Sequence, residues 1–240
     1  MDILIERDEA VQIAISVTAI SIALGIVFAS AEGITRSPAE FLLFLAPLFV
    51  TVGSGFILHE MAHKLVAIYY GAEARFRMWV QGLAFMLATS FFGVLFAAPG
   101  AVYIYGKRIK DKENAYISLA GPALNIVLMV FFLLLDALIP VIQFFSFLLE
   151  LPGFEGLGIV NGMLRVWRFG AAMNIILALF NMIPAFPLDG SKVYRYNRFM
   201  WLGVVALLLG LAAVLISPSM VIGWAIMLVF FAVLSKLLFG

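Results

Sequence analysis

The sequence predicts an all-α, multi-pass membrane protein. About six transmembrane helices are expected, with a re-entrant or interfacial β-hairpin-like element between the second and third. Three observations predict this. Hydrophobic residues make up 65% of the chain and charged residues 12%, with a mean hydropathy of +1.12, whereas soluble domains run nearer half apolar and a quarter charged. Six apolar stretches approach or exceed the roughly 20 residues needed to cross a ~30 Å hydrocarbon layer: 10–30, 41–69, 114–136, 163–183, 199–216 and 219–239. The basic residues, finally, alternate in register with those stretches.

The first stretch follows Asp2, Glu6, Asp8 and Glu9 and lacks the basic start and small-residue cleavage site of a signal peptide. It is read as a retained span. The second carries the polar residues discussed below. Between it and the third, 79–105 is apolar but interrupted by Gln81, Gly82, Thr89, Ser90, Gly93 and Pro99-Gly100. Lys64, Arg75 and Arg77 precede this stretch, and Lys107, Arg108, Lys110 and Lys112 follow it. A span with positive clusters at both ends is disfavoured, so 79–105 is not counted as one. Trp79-Val-Gln81 and Val102-Tyr-Ile-Tyr105 favour strands, and Pro99-Gly100 signals a turn. Open sheet edges do not face lipid. A hairpin here belongs at the interface or against a protein cavity.

With six spans alternating, the cytoplasmic side receives those seven residues plus Arg7, Lys192, Arg195, Arg198 and Lys236, twelve of the fifteen Lys and Arg. Arg36, Arg165 and Arg168 fall outside, as does a 137–162 loop carrying Glu150 and Glu155. Both termini are expected to be cytoplasmic in a multi-pass protein of the cell membrane. Residues 1–240 read as one domain, without internal repeat, low-complexity tract or soluble module. The absence of cysteine excludes disulfides and thiolate metal ligation.

The two histidines of the chain, His59 and His63, lie four residues apart in Gly55-Phe-Ile-Leu-His-Glu-Met-Ala-His63, with Glu60 beside the first. Positions i and i+4 project from one helical face, a turn apart. That spacing lets two imidazoles grip one zinc ion and leaves the adjacent carboxylate free as general base. Ionisable groups inside a membrane are costly and functional by default.

A hydrolytic zinc site usually takes three protein ligands and a water. The membrane-embedded acids are Glu60, Asp136 and Asp189, and depth separates them. Entering from outside near Glu40, His59 lies roughly 28 Å down at ~1.5 Å per residue. Entering near Arg168, Asp189 lies roughly 31 Å down if helical. Asp136 sits at the outer end of the third span. Glu60 points at a different angle from His59 and is kept as the base, so Asp189 is the expected third ligand. Its setting, Asn181-Met-Ile-Pro184-Ala-Phe-Pro187-Leu-Asp189-Gly190, breaks the helix. Broken helix at membrane depth is tolerated when buried or lining a water-filled cavity, and a hydrolase needs water.

The His-Glu-x-x-His motif in an apolar helix and the Asn-x-x-Pro…Leu-Asp-Gly motif from Asn181 to Gly190, with Gly121-Pro122-Ala-Leu-Asn125 between them, resemble the site-2 protease family of intramembrane zinc metalloproteases. The resemblance covers most of the chain. It implies one Zn2+ per chain on His59, His63 and Asp189, water activation by Glu60, and a substrate or oxyanion contact by Asn181. It also implies a substrate that is a single-span membrane protein, cut within or near its transmembrane helix. The PDZ and CBS domains of many members are not expected here, and nucleic acid is not an expected partner. The active-site opening is expected on the cytoplasmic side.

Plainer readings stand beside these. Asp189 next to Gly190 also suits a turn or cap. Asn181 also suits the backbone freed by Pro184. Asn125, at about the depth of the histidines, is a second substrate or oxyanion candidate. An interhelical hydrogen bond, with Gly121 allowing close packing, is the preferred reading for it. A metal-ion transporter would use the same ligands as a transit site, but transporters usually show several polar sites and internal repeats. A prenyl-protein zinc protease would be expected to take a glutamate as third ligand from a later motif.

Overall fold

The computed structural model describes residues 5–36, 38–95, 99–106, 108–148 and 157–239. Nine α-helices and two strands occur among them: α1 (Arg7–Arg36), α2 (Pro38–Leu48), α3 (Ser54–Tyr69), β1 (Glu73–Met78), α4 (Val80–Ser90), β2 (Gly100–Tyr105), α5 (Asp111–Leu148), α6 (Leu157–Asn181), α7 (Asp189–Tyr196), α8 (Arg198–Leu215) and α9 (Pro218–Phe239). Each of the six expected apolar stretches falls on helix, save the last two residues of 163–183 and the last of 199–216. Among the described residues, four helical rods are long and apolar enough to cross a membrane: Arg7–Phe28, Phe41–Tyr69, Asp111–Val141 and Arg198–Leu215. Large apolar side chains such as Phe199, Val214 and Leu43 point outward, as a lipid-facing surface requires. The protein is a multi-pass membrane protein.

The rod Phe41–Tyr69 is continuous because a π-helical turn, Phe49–Gly53, joins α2 to α3. Pro47 contributes no N–H to the ladder. Its own carbonyl accepts from the Thr51 hydroxyl at 2.7 Å, so the widened turn leaves that oxygen satisfied. Two apolar clusters organise the bundle. On one side Ile20, Ala23 and Leu24 of α1 meet Leu48 of α2, Val52 of the π turn, and Leu83 and Met86 of α4. On the other, Leu128, Met129 and Phe132 of α5 pack with Ala171, Ile175 and Ala178 of α6 and with Val205 and Leu208 of α8. The alanines let α5 and α6 approach closely, the usual device where lipid offers no hydrophobic driving force between helices.

The expected hairpin differs in its first strand. β2 contains the expected Val102–Tyr105, but it pairs antiparallel with Glu73–Met78, from Glu73 opposite Tyr105 to Met78 opposite Gly100. Trp79 instead caps α4, which Val80 and Gln81 begin. The outer edge of β1 is covered by α1: the Phe76 N–H donates to Glu9 Oε1 at 2.7 Å and the Met78 N–H to Gln12 Oε1 at 3.0 Å. The expected 137–162 loop is shorter, since α5 runs to Leu148 and α6 starts at Leu157. Glu150 and Glu155 lie outside the described residues.

Lys64 is not a flanking surface charge. It is 4% exposed, and its Nζ lies 2.7 and 2.6 Å from the two oxygens of Glu9, itself 2% exposed. This pair ties α1 to α3 directly beside His63. Breaking a buried pair leaves one charge without its partner, which costs about 3–5 kcal/mol. Lys64→Ala is expected to lower unfolding stability in detergent by about that amount. The double variant Glu9→Gln/Lys64→Met, which removes both charges, should recover most of the loss.

Candidate metal centre

Helix α3 places His59, Glu60 and His63 within the protein, at 2%, 9% and 8% exposure. The two rings meet edge to face with centroids 4.6 Å apart. Opposite them lies Asp189 in the first turn of α7. The chain reaches it by leaving helix at Asn181 and passing Pro184 and Pro187, with the freed Met182 carbonyl taken up by the Trp201 indole N–H at 2.8 Å. Asp189 Oδ2 is 3.3 Å from His59 Nε2 and 3.0 Å from His63 Nε2. Lys192, one turn on, holds the other oxygen, Oδ1, at 3.3 Å.

The remaining ring nitrogens show which protons the histidines carry. His63 Nδ1 lies 2.7 Å from the carbonyl of Ile117. A carbonyl only accepts, so Nδ1 carries the proton and, in the neutral ring, Nε2 is a bare lone pair. His59 Nδ1 faces Asn125 Oδ1 at 2.5 Å, with the same consequence. With both rings neutral, two nitrogen lone pairs and a carboxylate oxygen converge, three acceptors that require a proton or a metal ion among them. Tetrahedral zinc with bonds of about 2.0–2.1 Å sets its ligands roughly 3.3 Å apart, close to the 3.0–3.3 Å found here. Gly121 of α5 faces the same edges: a Cβ there would sit 2.5 Å from His59 Nε2 and 2.6 Å from His63 Nε2. The residues present fit a zinc ion.

Glu60 is the second carboxylate at the site. Its ligand atom and those of both histidines lie within 4.8 Å of one another, and its Oε2 accepts the backbone N–H of Val102 at 2.9 Å. A cavity of about 200 Å³ opens onto these groups, lined by Glu60, His63, Val102, Asn181, Asp189 and Lys192 among others.

The other expected residues take different places. Asn181 lines the cavity, but its Nδ2 donates to Leu177 O at 3.0 Å in its own helix. Asn125 does not line the cavity. It is fully buried behind His59, with its Nδ2 donating to Asn174 Oδ1 at 2.8 Å and to Gly55 O at 3.3 Å. Of the two readings for Asn125, these contacts fit the preferred interhelical one, because its side-chain amide is committed inside the bundle. Asp136, excluded on depth, pairs with Arg168 at 2.8 Å.

Sequence reasoning did not single out Asn174, whose signal is a buried amide two helical turns before Asn181 on the same face of an apolar helix. Nor did it assign Lys192 to Asp189, although i,i+3 spacing is legible. The Val102 contact uses a backbone amide and carries no residue-type signal.

A family model described as "Peptidase family M50" matches residues 154–206, which include Asn181 and Asp189. The "Putative zinc metalloprotease MJ0611" of Methanocaldococcus jannaschii is 41% identical over 164 residues, covering 67% of this chain and 74% of the relative. "Zinc metalloprotease MJ0392" of the same organism is 26% identical, over 64% of this chain and 34% of its own length. The "Putative zinc metalloprotease sll0528" of Synechocystis is 27% identical over 58% of this chain and 28% of its own length. No solved structure matches. A helical membrane fold closed around this cluster of histidines and carboxylates, with these relatives, defines a membrane zinc metalloprotease. The chain belongs to peptidase family M50, the site-2 protease family.

Proposed function

We propose that the protein is an intramembrane endopeptidase that cuts single-span membrane proteins within or near their transmembrane helices. The convergence of both Nε2 atoms and Asp189 Oδ2 next to the Glu60 carboxylate carries this reading. His59, His63 and Asp189 hold the zinc, and Glu60 is the general base. Asp189 is the third ligand because its oxygen approaches both Nε2 atoms, whereas Glu60 is turned to Val102. When bound, zinc supplies Lewis acidity and lowers the pKa of water toward ~7.

Glu60 Oε1, the oxygen not held by Val102, accepts a proton as water attacks the scissile carbonyl carbon. The same proton passes to the leaving amine nitrogen as the C–N bond breaks. Asn181 at the cavity wall is placed to contact the substrate backbone, using the carbonyl of its amide. β2 offers a docking edge. Phe76 and Val102 are opposite each other, and both their N–H groups point away from the ladder, to Glu9 and Glu60. By the strand's period of two, Gly100 and Ile104 direct theirs to the same free edge, and both line the cavity. An unwound substrate segment adds there as a strand, with its peptide bonds presented beside Glu60.

Six spans put this opening and both termini on the cytoplasmic side, following the positive residues. α6 and α9, whose apolar segments are shorter among the described residues, are the fourth and sixth of them. The test is reconstitution in vesicles with a panel of single-span proteins. Cleavage inside or beside the span, abolished by a chelator and restored by zinc, is expected. Cleavage confined to soluble loops, whatever the metal, would overturn the reading.

A further inference from the structure

Behind His59, three helices share an unbroken line of amides. Asn174 of α6 donates through Nδ2 to the Gly170 carbonyl, 2.9 Å away in its own helix. That carbonyl only accepts, so Asn174 turns its Oδ1 outward, toward α5. Asn125 must answer with Nδ2, and does so at 2.8 Å. Its second N–H reaches the Gly55 carbonyl of α3 at 3.3 Å, again an acceptor only. Asn125 Oδ1 is then the atom left for His59, at 2.5 Å from Nδ1. Each amide has a donor end and an acceptor end, so the line runs in one direction.

We propose that Asn174, acting through Asn125, is a positioning residue that sets which nitrogen of His59 faces the metal. This rests on the assignment of His59 as a zinc ligand. If Asn125 turned over, its N–H would meet His59 Nδ1, move the ring proton to Nε2, and place hydrogen where the metal bonds. Asn125 and Asn174 are 0% and 1% exposed, so water does not compete for these bonds. The room for Asn174 depends on Gly55, where a Cβ would lie 2.8 Å from Asn174 Oδ1. His63 needs no such line, because the Ile117 carbonyl orients it directly. Metal-bound histidines generally rely on such an acceptor, and its loss typically weakens metal binding roughly 10–100-fold.

The two histidines make the test clean, since His63 is an internal control. In zinc-loaded protein carrying ¹⁵N-labelled histidine, both rings should show a protonated Nδ1 and a metal-shifted Nε2. Asn174→Leu should move the His59 Nδ1–H signal, leave that of His63 in place, and weaken zinc binding roughly 10–100-fold. Asn125→Asp/Asn174→Leu should restore zinc binding to within a few-fold, because a carboxylate presents oxygen to His59 whichever way it turns. A purely structural role for Asn174 would not be rescued by adding a buried charge.

An unmoved His59 signal with unchanged zinc affinity in Asn174→Leu, or a double variant as weak as the single one, overturns the proposal. If Asn174→Leu does not fold, the wild-type spectrum decides alone: a His59 protonated at Nε2 overturns it. Zinc that shifts neither ring overturns the assignment of His59 and His63 as ligands. Zinc that shifts both, with Asn174→Leu silent, overturns the amide line and leaves the ligands standing.

Discussion

Replacing Glu60 by Gln is expected to slow cleavage of a reconstituted transmembrane substrate by roughly 10²–10⁴-fold, the usual worth of a general base, while zinc stays bound. The amide keeps the shape of the carboxylate, and its oxygen still accepts the Val102 N–H, which Glu60 holds at 2.9 Å. What it loses is the ability to take a proton from water. The three acceptors on His59, His63 and Asp189 are untouched, so metal content measured on the purified variant should match wild type. Full cleavage by Glu60→Gln would remove Glu60 from the chemistry. Loss of zinc instead would make it a ligand.

Asp189→Ala is the converse experiment, and zinc loss is its expected result. The carboxylate oxygen lies 3.3 and 3.0 Å from the two Nε2 atoms, so its removal leaves two neutral imidazoles with no counter-charge opposite them. The drop in affinity should exceed the roughly 10–100-fold that loss of a supporting partner costs, and cleavage should vanish with the metal. The measurement is zinc content after purification, with helical signal as a check on folding. Retention of stoichiometric zinc would show that Glu60, the other carboxylate within reach, supplies the third ligand. The two variants together assign both acids.

Much of this site is legible in the chain because its geometry is local. His59, Glu60 and His63 share a helix, so their relative directions follow from 100° per residue. Asp189 lies 126 positions beyond His63, yet a fixed rise per residue in two helices crossing one layer brings it to the same depth. The partners of these residues are not legible in the same way. Lys64 looks like one more cytoplasmic charge until α1 brings Glu9 against it. Asn125 reads as an interhelical amide, but that its partners are His59, Gly55 and Asn174 follows only from the packing of α3, α5 and α6. Strand register at 73–78 depends on which edge α1 covers, and Glu9 and Gln12 settle that from 67 and 66 residues away.

By itself the sequence determined the class of protein, the helical stretches, the histidine pair with its glutamate, and the aspartate opposite. Composition, span length and helical period are properties of neighbouring residues and survive without knowledge of packing. Only the tertiary structure decided the third dimension of the site: which nitrogen of each ring faces Asp189, which backbone N–H Glu60 holds, and which amides stand behind His59. Those depend on hydrogen bonds between groups far apart in the chain. Their direction is set by how helices rotate against one another, and no local period encodes that rotation.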